Sequence, residues 1–167
     1  MSAAATATTK VFRIHIRATP EAIWDAITSS DWTTRYGYGT PVEYDLRPGG
    51  TYRALANDGM KAYGSPDVVC DGDVIESDPP RRLVQTWRML FEPAMAAEPI
   101  GRLTYEIEPT EKHGVTRLTI IHDVADAPIH ASLVTGDVAQ AGGGWPFILS
   151  DLKSLLETGE ALGVEPS

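Results

Sequence analysis

Apolar residues along this chain recur with two different periods, and the change from one to the other outlines its elements. Lys10 to Arg17 alternates, which places Phe12, Ile14 and Ile16 on one face of a strand and Val11 on the other. Thr19-Pro20-Glu21 then supplies a cap, a proline for the first helical position and an acid near the helix N-terminus. Ile23, Ala26 and Ile27 follow at helical spacing with Trp24 beside them, and Ser29-Ser30-Asp31 ends this helix and caps a second short turn carrying Trp32.

Period two returns from Val42. A short strand to Leu46 is joined by the turn Arg47-Pro48-Gly49-Gly50 to Thr51–Leu55. Further strands are predicted over Val68–Ser77 and, after the turn Asp78-Pro79-Pro80, over Arg82–Met89. In the next, Leu103, Tyr105 and Ile107 alternate cleanly with Arg102, Thr104, Glu106 and Glu108. Glu111-Lys112-His113-Gly114 connects it to Thr116–Val124, where Leu118, Ile120 and His122 share a face. Asn57-Asp58-Gly59 signals a turn, 60–67 reads as a mobile loop, and 93–99 and 125–141 show little regularity. The inward face of 68–77 and of 82–89 stays open. On the latter, Leu83, Gln85, Trp87 and Met89 oppose Val84, Thr86 and Arg88.

The last periodic segment is helical. Trp145, Ile148, Leu149, Leu152, Leu155 and Leu156 recur at three- and four-residue steps, with Ser150, Asp151, Lys153, Ser154 and Glu157 on the other side. Gly142-Gly143-Gly144 breaks the chain before it, and Pro146 suits its first turn. A helix from Trp145 to Glu160 is roughly 24 Å long and needs a broad apolar partner. Tight turns make the strand run antiparallel, and the order of elements predicts an α+β domain. Its antiparallel sheet, of about six to seven strands, curls around the last helix, with two short helices after the first strand.

Composition narrows the function more than the fold. The chain has 167 residues with 23 acidic against 14 basic, a formal charge of −9, which argues against a nucleic-acid or anionic-membrane partner. Cys70 is the sole cysteine, so no internal disulfide or CxxC motif exists. No basic and apolar leader opens the sequence and no apolar run reaches a bilayer's span, so a cytoplasmic location without membrane insertion is expected. Residues 1–9 and 163–167 read as tails around one domain over 10–162.

His122 is the most suggestive polar residue, as a ligand hydrogen-bonder or a general base. A base needs an orienting partner, and Tyr105 on the neighbouring strand is either such a partner or core, so a structural histidine is the preferred reading. Trp24, Tyr52, Trp87 and Trp145 can line an apolar pocket or fill a core. Glu76 and Glu106 are read as a solvated face rather than an acid–base pair. Histidines 15, 113, 122 and 130 lack metal-ligand spacing, so no metal or other cofactor is expected. Gly142–Gly144 is read as a hinge rather than an anion cradle, and Cys70 as a small buried residue. Val11 and Ile121 on the outer sheet face point weakly to a homodimer.

Thr19-Pro20-Glu21-Ala22-Ile23-Trp24-Asp25-Ala26-Ile27-Thr28 resembles the "PPERVWxALT" start of the activator of heat-shock-protein-90 ATPase homologue-like family, part of the START-like (SRPBCC, polyketide cyclase-like) superfamily. Gly72 to Trp87, Thr116 to His122 and Gly144 to Leu156 resemble its later blocks in the same order. Asp31-Trp32-Thr33-Thr34-Arg35-Tyr36 departs from the pattern in lacking an adjacent tryptophan pair. The resemblance implies a helix-grip fold with a cavity between the sheet and the C-terminal helix. Trp24, Tyr52, Trp87, Tyr105, Leu118, Ile120, His122, Trp145, Leu149 and Leu152 are the expected lining, and a small hydrophobic or amphipathic molecule the expected partner. The alternatives are a cyclase- or hydrolase-like enzyme using His122, and a co-chaperone-like module with a chaperone partner.

Overall fold

The computed structural model describes residues 8–137 and 143–162. The expected tails, apart from residues 8 and 9, and Gly142 of the expected hinge lie outside the described residues. The architecture is the helix grip: a seven-stranded antiparallel sheet in the order β1-β7-β6-β5-β4-β3-β2, curved against a long C-terminal helix. Its strands are β1 (Thr9–Ile16), β2 (Val42–Tyr44), β3 (Thr51–Leu55), β4 (Val68–Asp78), β5 (Arg82–Met89), β6 (Gly101–Pro109) and β7 (Thr116–Asp123). Apart from the β1–β7 pair, neighbours in the sheet are neighbours in the chain, as tight turns dictate.

The helices α1 (Pro20–Thr28) and α2 (Ser30–Thr33) follow β1 as the caps predict. Thr19 accepts the Ala22 amide at 3.1 Å, and Ser29 accepts the Asp31 amide at 3.3 Å. Three segments read as loops contain helices instead. Asn57 caps α3 (Asp58–Ala62) by accepting the Met60 amide at 2.9 Å, so the turn signal was a helix start. Pro93 opens α4 (Pro93–Ala96), and Pro128 opens α5 (Pro128–Thr135), which Gly136 ends at φ 83°.

The final helix, α6 (Gly144–Thr158), buries Trp145, Leu149, Leu152 and Leu155, while Ile148 and Leu156 are half-buried. Asp151, placed on the polar side by its spacing, is only 2% exposed. Its carboxylate accepts the Gly37 amide at 2.8 Å and the Leu162 amide at 2.5 Å, so it ties the loop after α2 and the chain after α6 to the helix. The C-terminal half of α6 is clamped to the end of β1: Lys153 Nζ donates to the His15 carbonyl at 2.7 Å, and the Arg17 amide to Glu157 Oε2 at 2.8 Å. Among the described residues no helix is long and apolar enough to cross a membrane.

The open question of strand parity has a clear answer. Leu83, Gln85, Trp87 and Met89 face the core, and all four are buried. A bulge on β4 places Ile75 as an extra residue between Val74, opposite Gln85, and Glu76, opposite Val84, so Glu76 turns outward. Arg82 sits between Glu76 and Glu106 at 2.7 Å from each on that outer face, which makes the two carboxylates a solvated ion-pair row. Val11 and Ile121 are paired directly across β1 and β7 on the same face.

Candidate functional site

A cavity of about 120 Å³ lies between the concave sheet and the N-terminal half of α6. Tyr52 and Ala54 of β3, Val69 and Cys70 of β4, Trp87 and Met89 of β5 and Tyr105 of β6 form the sheet side. Trp145 and Ile148 of α6 face them, one helical turn apart, and Thr33 with Tyr36–Tyr38 of the following loop closes a third side. The sequence places these groups by simple means. Period two aims Trp87 and Met89 inward together, and glycine at position 72 lets the backbones of β4 and β5 approach where a Cβ would lie 1.9 Å from the Thr86 carbonyl oxygen.

The polar groups of the cavity wall lie side by side. Tyr44 donates to Gln85 Oε1 at 2.6 Å, and the Tyr105 side chain lies beside the Tyr44 hydroxyl. The Tyr44 bond explains how a fully buried glutamine sits in an apolar core. The Trp87 indole lies beside the Tyr52 hydroxyl, Tyr36 donates to the Ala26 carbonyl at 2.7 Å, and the Gly144 amide lies beside Tyr38. Burial, and then neighbouring phenols or Cys70, raises Tyr44, Tyr52 and Tyr105 above the ordinary tyrosine range, so these phenols stay neutral. Burial and the neighbouring Asp71 push the Cys70 thiol up to about 12, which removes it as a nucleophile near neutral pH.

Two histidines lie behind the aromatic wall. His122 is fully buried, and its Nδ1 accepts the Trp145 indole N–H at 3.0 Å, so the ring proton sits on Nε2. Its ring packs edge-to-face with Trp87 at 4.5 Å between centroids. Burial, with a smaller contribution from His130, pulls its pKa down to about 3. His130 Nε2 accepts the Met89 amide at 2.9 Å, so Nδ1 carries the proton facing Glu98 Oε1 at 2.6 Å. Glu98 also accepts the Ile129 and His130 amides at 2.9 and 3.0 Å and thereby caps α5 from a distant loop. Burial raises its pKa, but these bonds outweigh burial and hold the carboxyl below the ordinary range. Both ring nitrogens of His130 are committed to structure. Among the described residues no group of three or more side chains is arranged to hold a metal ion.

The profile of the activator of Hsp90 ATPase homolog 1-like proteins matches residues 17–157. The chain belongs to that family. No curated protein matches the sequence. Its fold is shared with the Aha1 dimer from Colwellia psychrerythraea, at 18% identity over 92% of this chain and 98% of that one, with a TM-score of 0.62. It is shared also with an HSP90 activator from Plasmodium falciparum, at 18% identity over 89% and 96% of the two chains and a TM-score of 0.61. CalU16 from Micromonospora echinospora has 22% identity over 95% and 76%, with a TM-score of 0.61. At these identities the likeness is one of fold.

Within this activator-like domain, the residues expected at a cavity separate into two groups. Tyr52, Trp87, Tyr105 and Trp145 line the cavity. Trp24, Leu118, Ile120, His122, Leu149 and Leu152 are buried in the core and outside the lining. The C-terminal half of α6, with Leu152, is clamped to β1, and the lining comes from β3–β6 and the first half of the helix. Tyr36, Tyr38, Thr33 and Phe91 join the lining without having been singled out. The alternation Tyr36-Gly37-Tyr38-Gly39, with both glycines at positive φ, was the signal available for the loop. Gly143 and Gly144 adopt φ 89° and 61°, and a Cβ at Gly144 would lie 2.5 Å from the carbonyl oxygens of Leu133 and Val134. Close packing against α5 therefore accounts for glycine at position 144.

Proposed function

We propose that this START-like domain binds a small, mainly apolar molecule between β3–β6 and the first half of α6. The observation that carries the reading is the cavity itself, whose wall is aromatic and aliphatic with a few hydroxyls. Its 120 Å³ is close to the roughly 150 Å³ of an engineered apolar cavity that binds benzene, so the occupant fits at the scale of one ring or a short chain. Burying such a group is worth about 1.5–3 kcal/mol for each side-chain-sized apolar part, enough for weak to moderate affinity. A hydrolytic or cyclising reaction draws less support: His122 lies outside the lining, and both nitrogens of His130 are engaged.

Titration with toluene, read by the fluorescence of Trp87 and Trp145, tests the reading. Saturable binding is expected, and Ala54→Phe, which fills the cavity from β3, abolishes it while circular dichroism stays native. Binding that survives Ala54→Phe places the ligand elsewhere and sinks the proposal. A co-purified small molecule seen by native mass spectrometry then identifies the natural occupant.

A further inference from the structure

The inference here rests on the reading of the cavity as a ligand site and concerns the chemistry of its occupant. Among the described residues, the lining contains no Lys, Arg, His, Asp or Glu. An ion brought into such a site loses its hydration and finds no counter-charge, so a charged ligand is rejected. The wall still holds unspent polar capacity. The Tyr36 proton goes to the Ala26 carbonyl and that of Tyr44 to Gln85, with Tyr105 beside the Tyr44 oxygen. Tyr52 differs. Its hydroxyl lines the cavity beside the Trp87 indole, which can only donate, so the Tyr52 proton meets no acceptor there among the described residues.

A second position points the same way. Thr33 lines the cavity, is 8% exposed, and its Oγ1 has no hydrogen-bond partner among the described residues. A buried hydroxyl without a partner carries a desolvation penalty that an occupant's polar group removes. We propose that the occupant is an uncharged, ring-sized molecule bearing a carbonyl or equivalent acceptor, and that the Tyr52 O–H takes that acceptor.

Four probes of similar size separate the possibilities: acetophenone, ethylbenzene, benzoate and phenyltrimethylammonium, each titrated against the full chain by tryptophan fluorescence. Acetophenone is expected to bind on the order of tenfold more tightly than ethylbenzene, the gain from one hydrogen bond at an unspent donor. Benzoate and phenyltrimethylammonium are expected to bind more than about a hundredfold more weakly than acetophenone. Tyr52→Phe keeps the ring and brings the acetophenone-to-ethylbenzene ratio to about one, with native circular dichroism as the check of the fold. Equal binding of ethylbenzene and acetophenone by the native chain overturns this inference and leaves the cavity reading standing. So does a ratio that survives Tyr52→Phe, or an ion that binds as tightly as acetophenone. If none of the four binds, both readings fall.

Discussion

Acid should loosen this fold through a residue that touches no solvent. His122 is fully buried, with Trp87 at 4.5 Å and Trp145 at 6.2 Å between ring centroids, and His130 nearby. Burial is the main reason its pKa lies near 3 rather than 6.5. The folded value is below the unfolded one, so the stability associated with the neutral ring is complete above about pH 6.5 and is lost as the pH falls toward 3. One pH unit is worth about 1.4 kcal/mol. Between pH 6.5 and 4.5 the loss is therefore a little over about 2 kcal/mol, because the unfolded ring is half protonated at the upper limit, and this is a large share of the stability of a domain this size. The lower bound of that window separates the effect from Glu98 and Glu157. Both carboxyls are held below the ordinary value of 4.5, so their contributions disappear only at lower pH. Urea unfolding of the native chain and of His122→Leu, at intervals from pH 7 to 4.5, measures it. At pH 7 the variant should be less stable by about 2 kcal/mol, because it leaves the Trp145 indole N–H without its acceptor. On acidification the native chain loses about that much more than the variant, and their order reverses near pH 5. A gap between the two that stays constant across the window would refute the reasoning.

Tyr44→Phe removes the donor to Gln85 Oε1 and should lower stability by about 1–3 kcal/mol, with much of the loss recovered in Tyr44→Phe/Gln85→Met, as chemical denaturation would show. Gly144→Ala should destabilise by well over 1 kcal/mol, since its Cβ meets two backbone carbonyls at 2.5 Å; Gly114→Ala, at φ 76° with nothing within 4 Å, should cost only about 1 kcal/mol, so equal melting shifts for the two would contradict the packing account. Asp151→Asn turns one of two carboxylate acceptors into a donor facing the Gly37 or Leu162 amide and should lower stability by about 2 kcal/mol in the same measurement.

Local signals described the frame of this molecule well. Alternation in 102–108 and 116–123 identified two strands with their inward faces, and the three- and four-residue stripe over 145–156 identified the gripping helix. The alternation failed where a single residue breaks it: Ile75, an extra residue in β4, reverses the parity beyond Val74. It also leaves Gln85 undecided, because an inward glutamine is credible only once Tyr44, forty-one positions earlier, is known to reach it. Asp151 is placed on the polar side by its spacing, and Glu98 is not singled out, for a related reason. Their partners are backbone amides of Gly37 and Leu162, and of Ile129 and His130, which no side-chain pattern announces. The cavity was the least legible feature, since the resemblance implied that it exists but not where α6 leaves the sheet.

Where α6 leaves the sheet follows from the chemistry of its two halves. The C-terminal half carries Lys153 and Glu157, which grip the end of β1, and Leu152 and Leu155, which complete the core there. The N-terminal half is fixed by Gly144 against α5 and by the bond from Trp145 to His122 of β7. With one end pinned to β1 and the other held by α5 and β7, the helix leaves a space beside β3–β6 that side chains only partly fill. His122 then acts on the cavity without reaching it. By accepting the indole N–H of Trp145 it fixes the orientation of a cavity wall, and any molecule that presses on that wall must work against a buried hydrogen bond.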